Sequence, residues 1–174
     1  MSELRVAYAI TDFPQGENVP FRGFTYEGTL TNRFGPSTQT ALKLRRGPRI
    51  SFFNTNAYYV NEMVELSFHQ ELGRRVEVQL VGGFQYNTYP EPVFVDDPAY
   101  ANLSPSEGEK RNDRMRNFSV RILARMGRGM DLTVGYRRDQ SRSNIEANDD
   151  LGQPFDIYSY ESQGVTASLI LGWQ

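Results

Sequence analysis

His69 is the only histidine in the chain, so it is the one possible centre for a histidine-based metal site or a nucleophile, histidine and carboxylate triad. A triad needs a hydroxyl and a carboxylate spaced to flank the ring, and no such spacing surrounds His69. Its place beside the turn sequence ELGRR predicts a satisfied interior histidine instead. Cysteine is absent, which removes disulfides, thiolate metal sites and thiol nucleophiles together and leaves the compartment open. Asp96 with Asp97, and Asp149 with Asp150, could offer oxygens to calcium but lack the alternating ligands of a calcium loop. No phosphate-cradling glycine loop, zinc spacing or assignable pair of glycosidase carboxylates occurs. The expectation is therefore a protein that is not an enzyme, with no cofactor and no metal.

A second chemistry is carried by charges that recur at every other position of apolar stretches. Arg5, Glu27, Arg33, Lys43, Glu65, Glu77, Arg121, Arg125, Asp131 and Arg137 all fall on the polar parity of such stretches, in nearly balanced sign. Arg45 and Asp139 join them. In a narrow closed barrel these groups would interdigitate as a hydrogen-bonded salt-bridge network, because unpaired charge in a dry lumen is costly. In a wider one they would line a water-filled channel, with Arg121, Arg125 and Arg137 biasing it toward anions. Arg45, Arg46, Arg49, Arg114, Arg116, Arg138 and Arg142 gather near long loops and could pair with lipopolysaccharide phosphates, or form an ordinary solvated rim.

The elements that must position these groups are strands. Eight stretches alternate: residues such as Leu4, Val6, Tyr8 and Ile10 oppose Arg5, Ala7 and Ala9, and Val76, Val78, Leu80, Phe84 and Tyr86 oppose Glu77, Gln79, Gln85 and Asn87. The turn sequences FGPST, ELGRR and GRG are short and contain glycine, which predicts tight hairpins. Between these pairs lie PQGENVP, RGPRISFFNTN, PEPVFVDDPAYANLSPSEGEKRN and SNIEANDDLGQPFDIY, which read as long loops at the opposite edge. Phe34, Phe68 and Trp173 fall near the short turns, and Tyr58, Tyr86, Tyr89, Tyr136, Tyr158 and Tyr160 near the loops, as two interfacial girdles would. Glu62 breaks the apolar parity and is expected near the outer interface, where charge costs little.

Composition bounds the rest. The chain has 174 residues, enough for a single domain over 1–174, with 19 basic and 21 acidic residues and a net charge of -2 that gives no nucleic-acid footprint. Mean hydropathy is -0.57, and no apolar run reaches the roughly 20 residues of a membrane helix. Residues 1 to 20 also lack the basic and apolar regions of a signal peptide. An alternating barrel averages to such a composition, so a membrane barrel stays open where a helical membrane protein does not.

The fold expected is an all-β, antiparallel, up-and-down transmembrane β-barrel with eight strands in this chain. The apolar residues of eight long strands are too many and too large for the lumen of a soluble ligand-binding barrel, the less favoured alternative. With strands and loops assigned, NTNAYYVNEMVELSFHQELGRRVEVQLVGGFQYNTYP, RNFSVRILARMGRGMDLTVGYRRDQSRSN and YESQGVTASLILGW resemble the C-terminal half of an outer-membrane β-barrel porin family of bacterial exopolysaccharide export loci. The resemblance implies an outer-membrane location, membrane lipid and polysaccharide as partners, and porin-like passage or polysaccharide export. Members of that family resemble larger barrels, whereas eight strands by themselves predict a filled cylinder without transport, and that reading stands beside it.

Overall fold

The computed structural model describes residues 2–13, 20–51, 56–92, 110–127, 129–148, 154–156 and 158–171. The alternating stretches form β1 (Ser2–Thr11), β2 (Phe21–Phe34), β3 (Thr38–Ile50), β4 (Tyr58–Leu72), β5 (Val76–Pro92), β6 (Lys110–Gly127) and β7 (Met130–Ser143). A small hairpin of β8 (Glu146–Asn148) and β9 (Pro154–Asp156) precedes the last long strand, β10 (Tyr160–Leu171). Valine, threonine, tyrosine and phenylalanine at every second position suit a pleated surface with two unlike faces. The long strands pair antiparallel with their chain neighbours in one eight-stranded sheet, in the order β1, β2, β3, β4, β5, β6, β7, β10. No pairing joins β1 to β10 among the described residues, so the sheet has two free edges.

The three expected hairpins form. Gly35 (φ 72°), Gly73 (φ 66°) and Gly129 (φ 74°) adopt the left-handed backbone that the tight turns require and that a side chain would resist. The opposite edge differs from expectation in detail. β3 continues through Arg46 to Ile50, β5 reaches Pro92 and β6 begins at Lys110, all inside segments read as loops. Pro48 is tolerated because β2 last pairs at Tyr26 with Arg46, so beyond that row β3 has one neighbour and its missing N–H is spared. The segment read as the last loop contains β8 and β9, paired from Glu146 with Asp156 to Asn148 with Pro154, strands too short to carry a parity signal.

Even-numbered residues of β1 to β7 and odd-numbered residues of β10 share one face. That face is apolar and exposed: Val6 is 63% exposed, Leu66 57%, Phe84 63% and Val165 74%. The other face holds buried Asn61, Asn87, Asp113 and Ser141, and the buried apolar residues are few: Phe21, Ala41, Tyr58, Tyr89 and Ile145 among the described residues.

The apolar band crosses the strands obliquely. Leu4 lies level with Gly28, Leu44, Val64 and Phe84, and then with Arg116, Gln140 and Glu161. At about 3.3 Å per residue, the band slips by about ten residues between its stretch on β1, residues 4–10, and its stretch on β10, residues 165–171.

Candidate functional site

The polar face forms a cleft that several strands line together. One hollow of about 500 Å³ is bounded by Gln79 of β5, Arg121 of β6, Arg137 of β7 and Thr166 of β10. A second, of about 350 Å³, reaches from Glu65 of β4 to Ser162 of β10. The first hollow lies over four neighbouring strands, β5, β6, β7 and β10, and the second over five, from β4 to β10.

Toward the short turns the charges of this face are wet and paired with near neighbours. Glu77 gathers two arginines and the histidine: Arg125 Nη2 at 3.4 Å, Arg121 Nη2 at 4.0 Å and His69 Nδ1 at 3.8 Å. Lys43 meets Glu65 at 3.4 Å across β3 and β4, and Arg137 grips Asp139 on its own strand with Nε and Nη2 at 2.6 and 3.1 Å. Glu27 lies between Arg5 and Arg45 in register, and Asp131 lies opposite Arg125. Arg5 closes on Glu3 of its own strand at 2.6 Å, and Arg33 donates to Gln39 Oε1 at 3.2 Å. The structure thus brings Glu77, Arg121, Arg125 and His69 together, and leaves Arg5 and Arg33 in separate pairs. Each of these ion pairs stays within one strand or between adjacent strands.

Toward the long loops the same face closes over. Arg45 donates to Asn61 Oδ1 at 2.8 Å from Nη2, and Asn61 Nδ2 donates to Asn87 Oδ1 at 2.8 Å. Gln85 Nε2 donates to the same Asn87 oxygen at 3.1 Å. Above them Arg111 holds Asp113 in a two-pronged pair at 2.9 and 2.7 Å, with its guanidinium over the Tyr89 and Tyr158 rings at 4.6 and 3.7 Å from their centroids. Arg111 is 6% exposed and Asp113 3%, a desolvated pair that stands because hydrogen bonds and ring faces replace water. Burial pushes the Tyr89 phenol well above its ordinary value, opposed by Arg111 and aided by Asp113.

The expected aromatic girdle is therefore thinner than the tyrosine count implies. Tyr86 and Tyr136 do lie on the apolar face with Phe34 and Phe68, and Tyr8 and Phe24 add an edge-on pair there at 5.3 Å. Tyr89 and Tyr158 instead hold Arg111, and Tyr58 stacks on Phe13 at 4.5 Å beside Phe21. Trp173 lies outside the described residues. Glu62 sits on the apolar face opposite Tyr86 and is neutralised by Arg46 at 2.7 Å. Asn61 and Asn87 fall on the polar parity of their stretches, as read from sequence, whereas Arg111 and Asp113 were not singled out; continuing the β6 parity back through Asn117 and Met115 would have placed Asp113 and Arg111 on the inner face.

No cluster of three or more metal-ligating side chains occurs among the described residues. No protein-family model, curated protein or solved structure matches the chain.

Proposed function

We propose that the chain forms the wall of a transmembrane β-barrel in a bacterial outer membrane, with its apolar face toward lipid and its charged face toward the lumen. The observation that carries this reading is the inversion of burial along the strands: large apolar side chains such as Val6, Leu66, Phe84 and Val165 are exposed on one face while Asn61, Asn87, Arg111 and Asp113 are buried on the other. A water-facing sheet would present a contiguous apolar surface that monomeric soluble proteins rarely expose.

The oblique band supports the same reading. About ten residues of slip at ~3.3 Å each, over seven strand-to-strand steps of ~4.8 Å, amount to a slope of about 45°. Strands of membrane barrels tilt by ~35 to 45°, so a bilayer cutting across this sheet would meet apolar side chains on every strand. By the resemblance noted above, such a barrel serves porin-like diffusion or passage of polysaccharide. The exposed cations of the cleft, Arg121, Arg125 and Arg137, give it an anion-attracting wall.

The buried Arg111, Asp113 and Tyr89 cluster favours a second reading, a small barrel filled at its loop end and without transport. Refolding in detergent, reconstitution in planar bilayers and protease protection distinguish the two. Protection with large conductance steps supports an open lumen, and protection without conductance supports the filled cylinder. A protein that stays monomeric in buffer without detergent refutes both.

A further inference from the structure

Cross-strand charges in this sheet are matched almost everywhere: Arg5 faces Glu27, Lys43 faces Glu65, Arg46 faces Glu62 and Arg125 faces Asp131. Two rows oppose like charges. Glu71 faces Glu77, and there Arg121, Arg125 and His69 close on Glu77. Arg114 faces Arg142 on the apolar face, both exposed, with Arg116 two residues away on the same face of β6. No described carboxylate lies within ion-pair distance of Arg114, Arg116 or Arg142. Directly opposed like charges are destabilising, so an anion seated between Arg114 and Arg142 would relieve their repulsion.

We propose that Arg114, Arg116 and Arg142 form a binding site for the phosphate of an anionic lipid headgroup, the chemistry that lipopolysaccharide phosphates present. The inference rests on the membrane reading and deepens it. Phe118 and Tyr136 are the last apolar-face residues of β6 and β7 before the band gives way to polar side chains. Arg116 and Arg114 follow two and four residues loopward of Phe118, and Arg142 six loopward of Tyr136. On strands tilted by ~45° that height is about 5 to 14 Å above the last lipid-facing rings, the depth of headgroups. Guanidinium groups meet phosphate oxygens in parallel pairs, so two facing arginines and a third beside them present several donors to one anion. The Arg116 guanidinium lies over the ring of Phe84, its cross-strand neighbour, 5.7 Å from the centroid, so the site borders the apolar face directly. The acyl chains of the same lipid would lie against Phe84 and Phe118.

The test is lipid retention by the refolded full chain in neutral-detergent micelles, read by native mass spectrometry, with phosphatidic acid, phosphatidylcholine and inorganic phosphate as probes. Phosphatidic acid should be retained and phosphatidylcholine not. Arg114→Gln with Arg142→Gln should weaken retention about tenfold or more, the loss of at least one charge-assisted bond. Arg142→Glu, which supplies an internal partner for Arg114, should abolish retention while leaving the fold at least as stable, and it serves if the double variant fails to fold. Equal retention of phosphatidic acid by the wild type and the variants overturns the site. Inorganic phosphate that binds as well as the lipid overturns the headgroup assignment. Failure of the wild type to insert, read separately by protease protection in vesicles, overturns the membrane reading and the site with it.

Discussion

Asn61 of β4 and Asn87 of β5 are cross-strand neighbours on the inner face, 1% and 5% exposed, and the Asn61 amide donates to the Asn87 oxygen at 2.8 Å. The same Asn61 carboxamide accepts from Arg45, so one side chain joins β3, β4 and β5 in a line of bonds running along the sheet and not across it. Interior polarity here is structural before it is functional, because each group is satisfied by its neighbour and needs no solute.

Replacing Asn61 by leucine keeps much of the volume and removes both partners' bonds. Arg45 would lose its acceptor and the Asn87 oxygen would keep only its bond from Gln85, at a cost of about 1 to 3 kcal/mol for a buried polar group left unsatisfied. Urea unfolding of Asn61→Leu in detergent, followed by far-ultraviolet circular dichroism, should show a lower midpoint with an unchanged slope. A wild-type midpoint would mean that water already serves these groups.

The two faces can be told apart by one residue of sequence. Leu66, on the apolar face, and Ser67, on the polar face, are adjacent on β4 near the middle of the oblique band. Arginine near the lipid midplane of a barrel costs about 2 to 4 kcal/mol, whereas on the inner face, already lined by charged side chains, it can be hydrated or paired. Leu66→Arg should therefore impair folding into lipid vesicles far more than Ser67→Arg. Equal effects would contradict the lipid-facing assignment.

Glu77 is the sole carboxylate at ion-pair distance from Arg121, Arg125 and His69 among the described residues. Both arginines are more than half exposed, so each pair is screened and its contribution lies at the low end of ~0.2 to 1 kcal/mol. A double-mutant cycle of Glu77→Gln and Arg125→Gln should give a coupling below about 1 kcal/mol that fades with added salt. If the lumen conducts, Glu77→Gln alone should move the reversal potential under a salt gradient toward anion selectivity.

Much of this fold was legible because alternation survives wherever β-branched and aromatic residues recur, as from Val76 to Tyr86. Hairpins at Gly35, Gly73 and Gly129 were legible because left-handed turns demand glycine. The interior cluster was not. Arg111 and Asp113 sit where β6 is polar on both faces, so no parity marks the strand, and Pro90 and Pro92 on β5 read as loop. Tyr58 and Tyr89 belong by type to an interfacial girdle, and only the three-dimensional course of the strand ends turns them onto Phe13 and Arg111. Charge parity located the lining residues on one face, but pairing depends on register, which brought Glu77 to two arginines from β6 and left Arg5 with its own strand's Glu3.

The slope of the apolar band also specifies how the free edges would meet. Aligning residues 4–10 of β1 with residues 165–171 of β10, so that a flat bilayer meets apolar groups on both, brings Val6 level with Leu169, Ala7 with Ser168 and Tyr8 with Ala167. This alignment keeps apolar beside apolar and polar beside polar, and it shifts β10 about ten residues from where the sheet's own rows carry it, a stagger of the kind that closing a tilted barrel requires. Opposed residues in an antiparallel pair have Cα atoms ~4.5 to 5.5 Å apart, within reach of a disulfide. The natural chain has no cysteine, so there is no background reaction. Ala7→Cys with Ser168→Cys should cross-link on oxidation in the reconstituted protein, whereas Ala7→Cys with Gly164→Cys, displaced by four residues, should not. A cross-linked product of single-chain mass means that eight strands close on themselves and the lumen is filled. A product of twice that mass means that edges of two chains meet, which makes a wider, sixteen-stranded lumen of the kind that conducts. Cross-linking at the displaced pair instead would show that the apolar band does not set the register, and would remove the tilt as support for a membrane barrel.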